Sequence, residues 1–491
     1  MPERIVFDRP RPLFDTAATR RIEQAAAAAL PAHALMQRAG LAAARLALAL
    51  APHARTVWIA CGPGNNGGDG LEAAMHLRGW GGNPVVTWLG NPEQAPADAR
   101  ASWQCARDAG VRFADQPPPD LQAQDLCVDA LLGIGAARPP AGRMAEWLRL
   151  LRAQPAPLLA IDLPTGLNAD TGAAFDSPAT AGPARHTLSL LTLKPGLFTA
   201  QGRDACGQVW FDDLGAPATE APTAWLNAPP APAHRPHASH KGSYGDVAVI
   251  GGETRAGAAM TGAALLAARA ALHAGAGRVY VGLLGAPGLP GDAAQPELMF
   301  RSPGELPLPA LTVVCGCGGG QAVAALLPAV LEKAARLVLD ADALNALAEQ
   351  RAALTPLLSE RAARGRATVL TPHPLEAARL LGGSAAEVQQ DRLAAARALA
   401  DRFGCAVVLK GSGSIVAAPG QTPRINPTGC ARLASPGTGD VLAGLIGARL
   451  ATGLPAFEAA CAGAYQHGAA ADQWRGPATL TAAALAHALT P

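Results

Sequence analysis

Two glycine-rich segments of the chain each run into an aspartate that could do chemistry. The first, Gly62–Asp69, follows the apolar run 57–61, and the second, Gly437–Asp440, precedes the apolar run 441–450. Glycines let the backbone approach a phosphate group, and the amides at the start of a following helix attract its charge. Both segments therefore predict binding of a phosphate-bearing nucleotide ligand.

The first segment carries the G-x-G-x-x-G fingerprint of dinucleotide-binding domains, with a helix expected to begin near Leu71. A nicotinamide dehydrogenase would place an acid at the end of the next strand to hold the ribose. That strand, 85–89, is followed by Gly90 and Asn91 instead. The dehydrogenase interpretation loses support, while the polar string 65–69 is too specialised for a simple turn.

Two further strand ends carry acids, Asp129 and Asp162. A carboxylate at the carboxyl end of a strand commonly faces the ligand crevice of an open sheet. The alternative for each acid is a surface position or a helix N-cap. Asn66, Asp129 and Thr165 together offer oxygen ligands, which suit a hard cation and not a thiophilic metal.

The segments 65–70, 129–135 and 162–167 resemble the NAD(P)H-hydrate epimerase family, over about residues 10–215. The resemblance implies interconversion of the R and S epimers of hydrated NADH and NADPH, and a potassium ion on Asn66, Asp129 and Thr165. The residues that it implies for hydrate binding are Asn65, Asn66, Gly67, Gly68, Asp69, Gly133, Ile134, Gly135, Ala136, Ala137, Arg138, Pro139 and Asp162.

Epimerisation needs an acid–base group near the hydrated ring carbon, and Asp162 is the expected one. Lys194 is a second ionisable candidate, for which a solvated position at a strand end is expected.

The second segment suggests phosphoryl transfer. Backbone amides of Gly437–Gly439 could stabilise charge on a transferring phosphoryl group, and Asp440 could take a proton from an attacking hydroxyl. The alternative for Asp440 is a helix cap. Lys410, before a glycine-rich turn, could meet a nucleotide phosphate or be an exposed hairpin lysine, and His373 could be functional or structural. The absence of a GxxxxGK[ST] string excludes the P-loop class.

Strings spread over 240–440 resemble the ADP/ATP-dependent NAD(P)H-hydrate dehydratases, which have a ribokinase-like fold. They are 240–246, 249–252, 257–258, 316–320, 340–344, 371–374, 410–411 and 437–440. The resemblance implies that the hydrate contacts Ala258, Gly318, His373 and Asp440. It implies that the adenine nucleotide is held by Lys410, Gly411, Ser412, Gly413, Ser414 and Gly439. Cys317 departs from the family pattern, which often has proline there, and Cys430 stands where asparagine is common.

Short apolar runs alternate with helix-like segments on both sides of a proline-dense stretch, which indicates mostly parallel sheets with covered faces. The runs are 57–61, 85–89, 126–132, 158–163, 188–193, 209–211, 247–250, 279–283, 311–314, 337–339, 368–370 and 407–409. The predicted fold class is α/β with two domains. A Rossmann-like α/β sandwich spans 1–215, a proline-rich linker 216–236 and a ribokinase-like domain 237–491.

Bulk properties exclude several classes of partner. A net charge of +2 argues against nucleic acid. The uncharged stretch 306–331 is long enough to span a bilayer, but its glycines and Pro328 favour a strand, a turn and a buried helix. The N-terminus lacks the apolar core of a signal peptide. The nine scattered cysteines are expected to be free thiols, which suits the cytoplasm. A homo-oligomer is expected.

The combined prediction is a bifunctional repair enzyme. It epimerises hydrated NADH and NADPH and dehydrates the S form to NAD(P)H with ADP, giving AMP and phosphate. ATP is the alternative donor, and Mg²⁺ is expected for phosphoryl transfer. One competing hypothesis is a ribokinase-like kinase of a small vitamin-like alcohol with an N-terminal nucleotide-sensing domain. Another makes the N-terminal half a non-catalytic interaction module.

Overall fold

Each half of the chain folds its apolar runs into a sheet of its own in the computed structural model. The residues described are 1–135, 138–175, 184–232, 235–285, 290–476 and 479–491. The chain divides into two units, one formed by 1–6 with 12–224 and the other by 7–11 with 225–491. The change of unit therefore falls inside the stretch that was expected to be a linker. That stretch contains a strand, because Ala224 and Leu226 are fully buried apolar residues.

Helices and strands alternate through the first half of the chain. In order they are β1 (Glu3–Arg4), β2 (Arg11–Leu13), α1 (Thr16–Ala29), α2 (Ala34–Leu50), β3 (Val57–Cys61), α3 (Asn65–Gly79), β4 (Pro84–Trp88), α4 (Ala97–Asp108), β5 (Arg112–Phe113), β6 (Leu126–Ala130), α5 (Gly142–Ala153), β7 (Leu158–Ile161), β8 (Arg185–Leu190), α6 (Gly202–Cys206) and β9 (Gln208–Asp212).

The first sheet has the strand order β1-β9-β8-β7-β6-β3-β4-β5. Its pairs are parallel except for β1 with β9. Strands β3 and β6 are buried at every position, as expected for a parallel sheet that is covered on both faces. Chain order reverses between these two neighbours. The segments that follow Cys61 and Ala130 therefore flank one crevice, where open α/β sheets bind ligands.

The second half of the chain contains more elements. In order they are β10 (Ala224–Leu226), β11 (Asp246–Arg255), β12 (Ala258–Ala259), α7 (Thr261–His273), β13 (Arg278–Gly285), β14 (Met299–Phe300), β15 (Thr312–Cys315), α8 (Ala322–Lys333), β16 (Arg336–Leu339), α9 (Asp342–Glu349), α10 (Arg351–Ala363), β17 (Thr368–Leu370), α11 (Pro374–Leu381), α12 (Ala385–Gln390), α13 (Arg392–Phe403), β18 (Ala406–Leu409), β19 (Ile415–Ala417), β20 (Arg424–Ile425), α14 (Thr438–Ala451), α15 (Ala456–Asp472) and α16 (Ala482–Ala488).

The second sheet runs β14-β13-β11-β15-β16-β17-β18-β19-β20-β10. It is parallel from β14 to β18, and β19 is antiparallel to both of its neighbours. Its chain order reverses between β11 and β15, which again marks a ligand crevice. Helix α14 is buried almost all round. Glycine at position 444 allows α14 to pack closely on α7, since a Cβ there would lie 2.0 Å from the carbonyl oxygen of Ala267.

The uncharged stretch 306–331 contains a 3₁₀ turn (Leu308–Ala310), strand β15, a glycine turn and most of α8. The prediction of a strand, a turn and a helix is confirmed. Over the described ranges no helix has the length and apolar character needed to cross a membrane. All nine cysteines are free thiols, as predicted.

Candidate active sites

The polar string Asn65–Asp69 forms the first turns of α3. We expected the helix to begin near Leu71, and this expectation is wrong, because α3 begins at Asn65. Glycine is a poor helix former, but here it allows close packing: a Cβ at Gly67 would lie 2.0 Å from the carbonyl oxygen of Gly62. The amides of the first turn of α3, which have no partner within the helix, thus lie at the crevice of the first sheet.

A cavity of about 700 Å³ opens at this crevice. Seven of the residues predicted to bind the hydrate line it: Asn65, Asn66, Asp69, Gly133, Ile134, Gly135 and Asp162. Gly67 and Gly68 serve packing instead, since a Cβ at Gly68 would lie 2.5 Å from the sulfur of Met36. Arg138 and Pro139 are not among the lining residues. Ala136 and Ala137 lie outside the described residues.

Asp162, which follows β7, is joined to Lys194 inside this cavity. Lys194 Nζ lies 2.5 Å from Asp162 Oδ1 and donates to the carbonyl oxygen of Leu190 at 2.8 Å. Lys194 is 0% exposed, so the expectation of a solvated lysine is wrong. Asp162 also adopts a positive φ of 65°, which is strained for a residue other than glycine and is typical of functional sites.

Two more carboxyl groups line the cavity, Glu23 on α1 and Asp69 on α3. Burial, reinforced by the charge of Asp162, raises the pKa of Glu23 and raises that of Asp69 well above its ordinary value. A carboxyl group of raised pKa tends to keep its proton and can act as an acid. Glu23 was not predicted as a site residue, because it lies in an alanine-rich helix without a strand end or glycine turn to mark it.

The proposed potassium ligands are partly brought together. Thr165 donates to Asp129 through its hydroxyl (2.7 Å to Oδ1) and its amide (2.9 Å to Oδ2), and burial raises the pKa of Asp129. Asn66 lies against Gly133, where an added Cβ would be 3.4 Å from Asn66 Oδ1. Both polar atoms of the Asn66 amide are buried without a hydrogen-bond partner among the described residues. An unpartnered buried amide is costly, so this group calls for a ligand.

In the second unit, Asp440 lies in the first turn of α14, after Gly437 at φ 87°. Burial, and next the charge of Asp340, raises the pKa of Asp440 to about 7. His467 Nε2 lies 2.8 Å from the carbonyl oxygen of Thr438, and burial lowers the pKa of this histidine to about 4. The neutral ring therefore donates to Thr438 and fixes the start of α14. A carboxyl group that titrates near neutrality suits a general base.

Lys410 lies in the same site and is not an exposed hairpin lysine. Its Nζ is 2.7 Å from Asp340 Oδ1 and 3.9 Å from Glu376 Oε2. Burial works against its charge, but the two carboxylates outweigh burial, and the net pKa of Lys410 is raised. A Cβ at Gly439 would lie 3.3 Å from this ammonium group, which places Lys410 beside the start of α14.

Asp340 and Glu376 were not predicted as site residues. Asp340 stands directly after β16, which is the same strand-end signal that singled out Asp129 and Asp162. The signal was therefore available. Glu376 lies in the first turn of α11 and carries no such signal.

Three other predicted residues belong to the second unit, and two of them have clear local roles. His373 caps α11, because its Nδ1 accepts from the amides of Leu375 and Glu376 at 3.1 and 3.3 Å. Gly318 has φ 59° and no room for a side chain, since a Cβ would lie 2.8 Å from Cβ of Met260. Ala258 is exposed on the short strand β12.

The predicted nucleotide turn, Lys410–Ser414, connects the antiparallel strands β18 and β19. Ser414 Oγ donates to the carbonyl oxygen of Gly411 at 3.1 Å, which closes the turn. Arg392 stabilises the turn by donating to the carbonyl oxygens of Leu409 and Lys410 at 3.3 and 3.2 Å. Gly411, at φ 139°, leaves space for this guanidinium group.

Comparisons with known proteins cover both units. One family model, described as NAD(P)H-hydrate dehydratase, matches residues 247–490, and another, described as YjeF-related protein N-terminus, matches 32–196. The bifunctional NAD(P)H-hydrate repair enzyme Nnr of Escherichia coli (strain K12) is 38% identical over 466 residues, which are 90% of this chain and 85% of that protein. The chain belongs to the bifunctional NAD(P)H-hydrate repair enzymes.

Two further comparisons concern the second unit. The ADP-dependent (S)-NAD(P)H-hydrate dehydratase of Neisseria meningitidis serogroup B is 45% identical over 262 residues, which are 52% of this chain and 85% of that protein. A solved structure of the ADP/ATP-dependent NAD(P)H-hydrate dehydratase from Bacillus subtilis is 27% identical with a TM-score of 0.43, and covers 53% of this chain and 92% of that one.

Membership of the bifunctional NAD(P)H-hydrate repair family confirms the predicted identity of the enzyme and favours it over a small-alcohol kinase with a sensing domain. The α/β fold class with two domains is also confirmed, since each half of the chain builds its own sheet. The Rossmann-like and ribokinase-like assignments of these domains stay predictions. The individual site residues, the two metal ions and the oligomeric state stay predictions.

Proposed function

We propose that the chain repairs hydrated NADH and NADPH in two steps. The first unit interconverts the R and S epimers. The second converts the S form to NAD(P)H and uses ADP, which becomes AMP and phosphate. The Neisseria relative, named as ADP-dependent and specific for the S form, supports this choice of donor and epimer. The observation that carries the second step is Asp440, a half-buried carboxyl group of pKa about 7 at the start of α14.

Dehydration is slow because hydroxide is a poor leaving group. In the proposed reaction the ring hydroxyl attacks the terminal phosphoryl group of ADP, Asp440 accepts the hydroxyl proton, and AMP leaves. The phosphate then leaves the ring carbon with the electron pair of the C–O bond. Loss of a proton from the adjacent ring carbon restores the double bond. The sum is hydrate plus ADP to NAD(P)H, AMP and phosphate.

The surroundings of Asp440 suit phosphoryl transfer. The first-turn amides of α14 and the ammonium group of Lys410 lie side by side and can donate hydrogen bonds to the phosphoryl group. We assign the adenine nucleotide to the turn Lys410–Ser414 with Gly439, and the hydrate to Ala258, Gly318, His373 and Asp440. With ATP as the alternative donor, ADP would leave in place of AMP.

The described part of the chain offers no set of side chains that suits a magnesium ion. The one cluster of three or more His, Cys, Asp or Glu side chains close enough to share an ion there is Cys317, Asp340 and Asp440. One of the three is a thiol, a poor ligand for Mg²⁺, and Lys410 already neutralises Asp340. These residues therefore do not fit Mg²⁺, and no step above depends on it.

For epimerisation, we propose that Asp162 is the acid–base group and that Lys194, which donates a hydrogen bond to it, holds it in position. The hydrated carbon is bonded to the ring nitrogen, so that its hydroxyl can leave as water once a carboxyl group supplies a proton. The nitrogen lone pair stabilises the resulting cation, and water adds to the other face and returns the proton. Asp69 and Glu23, with raised pKa values, supply further protons at the cavity wall.

The donor set around Asn66 fits the expected potassium ion. Its buried, unpartnered amide oxygen and the Asp129–Thr165 pair are hard oxygen ligands. A bound K⁺ would supply positive charge near the substrate phosphates. We expect Asn66→Ala to raise the K⁺ concentration that gives half-maximal activation of epimerisation by at least about tenfold.

Asn65→Ala is the matched control for this prediction, because Asn65 lines the same cavity and is exposed. It should keep the wild-type response to K⁺, whatever its effect on substrate affinity. An Asn66→Ala variant that responds to K⁺ like wild type would contradict the assignment.

The decisive test of function supplies mixed hydrate epimers with ADP, with ATP or with neither, and follows the absorbance of the reduced nicotinamide ring. With ADP, we expect both epimers to be converted completely to NAD(P)H. Return of the S portion alone would leave the first unit without its assigned role, and no return with either nucleotide would overturn the proposal.

The pH dependence of dehydration follows from the raised pKa of Asp440. Only the ionised carboxylate can accept a proton, so kcat should fall about tenfold per pH unit as the pH drops below about 7. The measurement uses purified S epimer with saturating ADP at each pH. An acid limb centred near the ordinary aspartate value of 3.8 would contradict this prediction.

We further propose that the enzyme acts in the cytoplasm on small molecules, as a homo-oligomer. Nine free thiols support a reducing compartment. Sedimentation of the full-length chain tests the oligomeric state, for which a monomer would be the contrary result.

A further inference from the structure

Cys317 lies in the glycine turn after β15, at the crevice of the second sheet, and is 0% exposed. Its neighbours Gly316 and Gly318 have φ values of 118° and 59°, which favour glycine. The carbonyl oxygen of Cys317 accepts from the amide of Gly252 at 2.9 Å. This hydrogen bond ties the backbone that carries the thiol to β11.

The sulfur of Cys317 forms a small cluster with two carboxylates. Its Sγ and one oxygen each of Asp340 and Asp440 all lie within 4.8 Å of one another. Asp340 is already bonded, since Lys410 Nζ and Thr371 Oγ1 donate to its Oδ1 at 2.7 and 2.8 Å. The sulfur of Cys317 also lies within 4.8 Å of a carboxylate oxygen of Asp440. Because Lys410 and Thr371 already donate to Asp340, Asp440 is the carboxylate to which the thiol can donate.

The thiol can act only as a donor in this contact. Burial, followed by the charges of Asp440 and Asp340, raises the pKa of Cys317 well above its ordinary value, so the sulfur keeps its proton. An S–H group beside an ionised carboxylate donates its hydrogen to it. A hydrogen bond to the charged form of an acid stabilises that form and lowers the pKa of the acid.

We propose that Cys317 is a positioning residue of the dehydratase, whose S–H group donates to the carboxylate of Asp440 and holds this base ionised and oriented. The inference rests on the proposed role of Asp440 as proton acceptor. The base of this chain is therefore tuned to work at lower pH than the same site without the thiol.

Other ionisable groups also face Asp440 and are present in every variant below. Asp340 and Asp342 raise its pKa, and Lys410 lowers it. The elements packed against α14 add four more groups. Glu253 accepts from the amides of Gln321 and Ala322, and Arg269 pairs with Asp292. His273 contacts Gln295 and His487, and His467 is neutral. Because these groups are the same in every variant, a change in the pKa of Asp440 can be assigned to Cys317.

The test compares Cys317→Ala with Cys317→Ser in the full-length chain. For each variant, kcat of dehydration is measured from purified S epimer with saturating ADP across the acid limb. Without a donor, Cys317→Ala should move the midpoint of this limb upward by about 0.5–1 pH unit. Cys317→Ser keeps an O–H donor and should stay within about 0.3 unit of wild type. An unmoved midpoint in Cys317→Ala, or equal shifts in both variants, would overturn the inference.

A second measurement does not need the variants at Cys317 to fold. The infrared S–H stretch of wild type is compared with that of Asp440→Asn, and a shifted thiol band is expected because the charged acceptor is gone. An identical band contradicts the contact. Asp440→Asn also separates the two claims: if it retains dehydration, the proposed base is wrong, and if it loses dehydration while Cys317→Ala shows no shift, only the role of Cys317 fails.

Discussion

Replacement of Asp440 by asparagine should slow ADP-dependent dehydration by about 10²–10⁴-fold, the range for loss of a general base. Asparagine has nearly the same shape but cannot accept the hydroxyl proton. The measured quantity is kcat with purified S epimer and saturating ADP. Epimerisation, followed separately as exchange of R into S without nucleotide, should keep its wild-type rate. If exchange stops as well, the assignment of the two steps to separate sites is wrong.

The same substitution should raise the stability of the second unit at alkaline pH. The pKa of Asp440 is raised from 3.8 to about 7, so folding favours the protonated carboxyl. Stability from this group is therefore full below pH 3.8, falls as the pH rises towards 7, and stays low above it. A shift of that size corresponds to roughly 4 kcal/mol, and asparagine removes the penalty. The midpoint of thermal unfolding at pH 8 should rise in Asp440→Asn and not at pH 4.

Asp342→Asn is the matched control. Asp342 also influences the pKa of Asp440, but its carboxylate accepts from the amide of Gly320 at 2.8 Å, outside the proposed proton path. Its loss should change kcat by less than about tenfold, because only a distant charge is removed. A loss as large as that of Asp440→Asn would mean that the local charge matters and not the base itself.

The sheets were predictable because continuous apolar runs have few alternatives in an α/β chain. Every predicted run became a strand, with ends displaced by a few residues. The strands that escaped prediction are short edge or hairpin pieces, such as β5, β12, β14 and β20, which are too brief to form an apolar run. Their existence depends on a neighbour strand and not on their own composition.

The start of α3 shows why a local signal can fail. Consecutive glycines argue against a helix, since each lacks side-chain contacts and adds flexibility to the unfolded chain. In the fold, the glycines of α3 are required, because the carbonyl oxygen of Gly62 leaves no room for a Cβ at Gly67. Packing against distant residues decided the conformation, and no property of the string itself could reveal it.

The strand-end pattern singled out Asp162, which lines the cavity, and Asp129, which bonds to Thr165. Long-range partners were not predictable. Lys194 lies after β8 in a segment that reads as a strand end, and its partner Asp162 follows β7, 32 residues earlier. Parallel neighbouring strands bring the two together at one edge of the sheet. Pairing with Asp162 thus allows Lys194 to be buried, whereas a lysine without an acidic partner is normally exposed.

Replacement of Asp162 by asparagine should reduce epimerisation by about 10²–10⁴-fold, because the acid–base group is lost. Dehydration of purified S epimer should be unchanged. In a mixture of epimers with ADP, Asp162→Asn should therefore give rapid return of the S portion, followed by a slow phase limited by spontaneous exchange. A single fast phase that consumes the entire mixture would contradict the role of Asp162.

Lys194→Met separates the chemical role of this pair from its structural one. Removing the ammonium group leaves a carboxylate unpaired in a largely buried site, which typically lowers stability by about 3–5 kcal/mol. The double variant Asp162→Asn with Lys194→Met removes both charges, so it should regain most of that stability, as read from the midpoint of urea unfolding. It should still lack epimerisation, because no acid–base group has returned. Recovery of epimerisation together with stability would show that the pair serves the fold alone, and the acid–base role would then pass to Asp69 or Glu23.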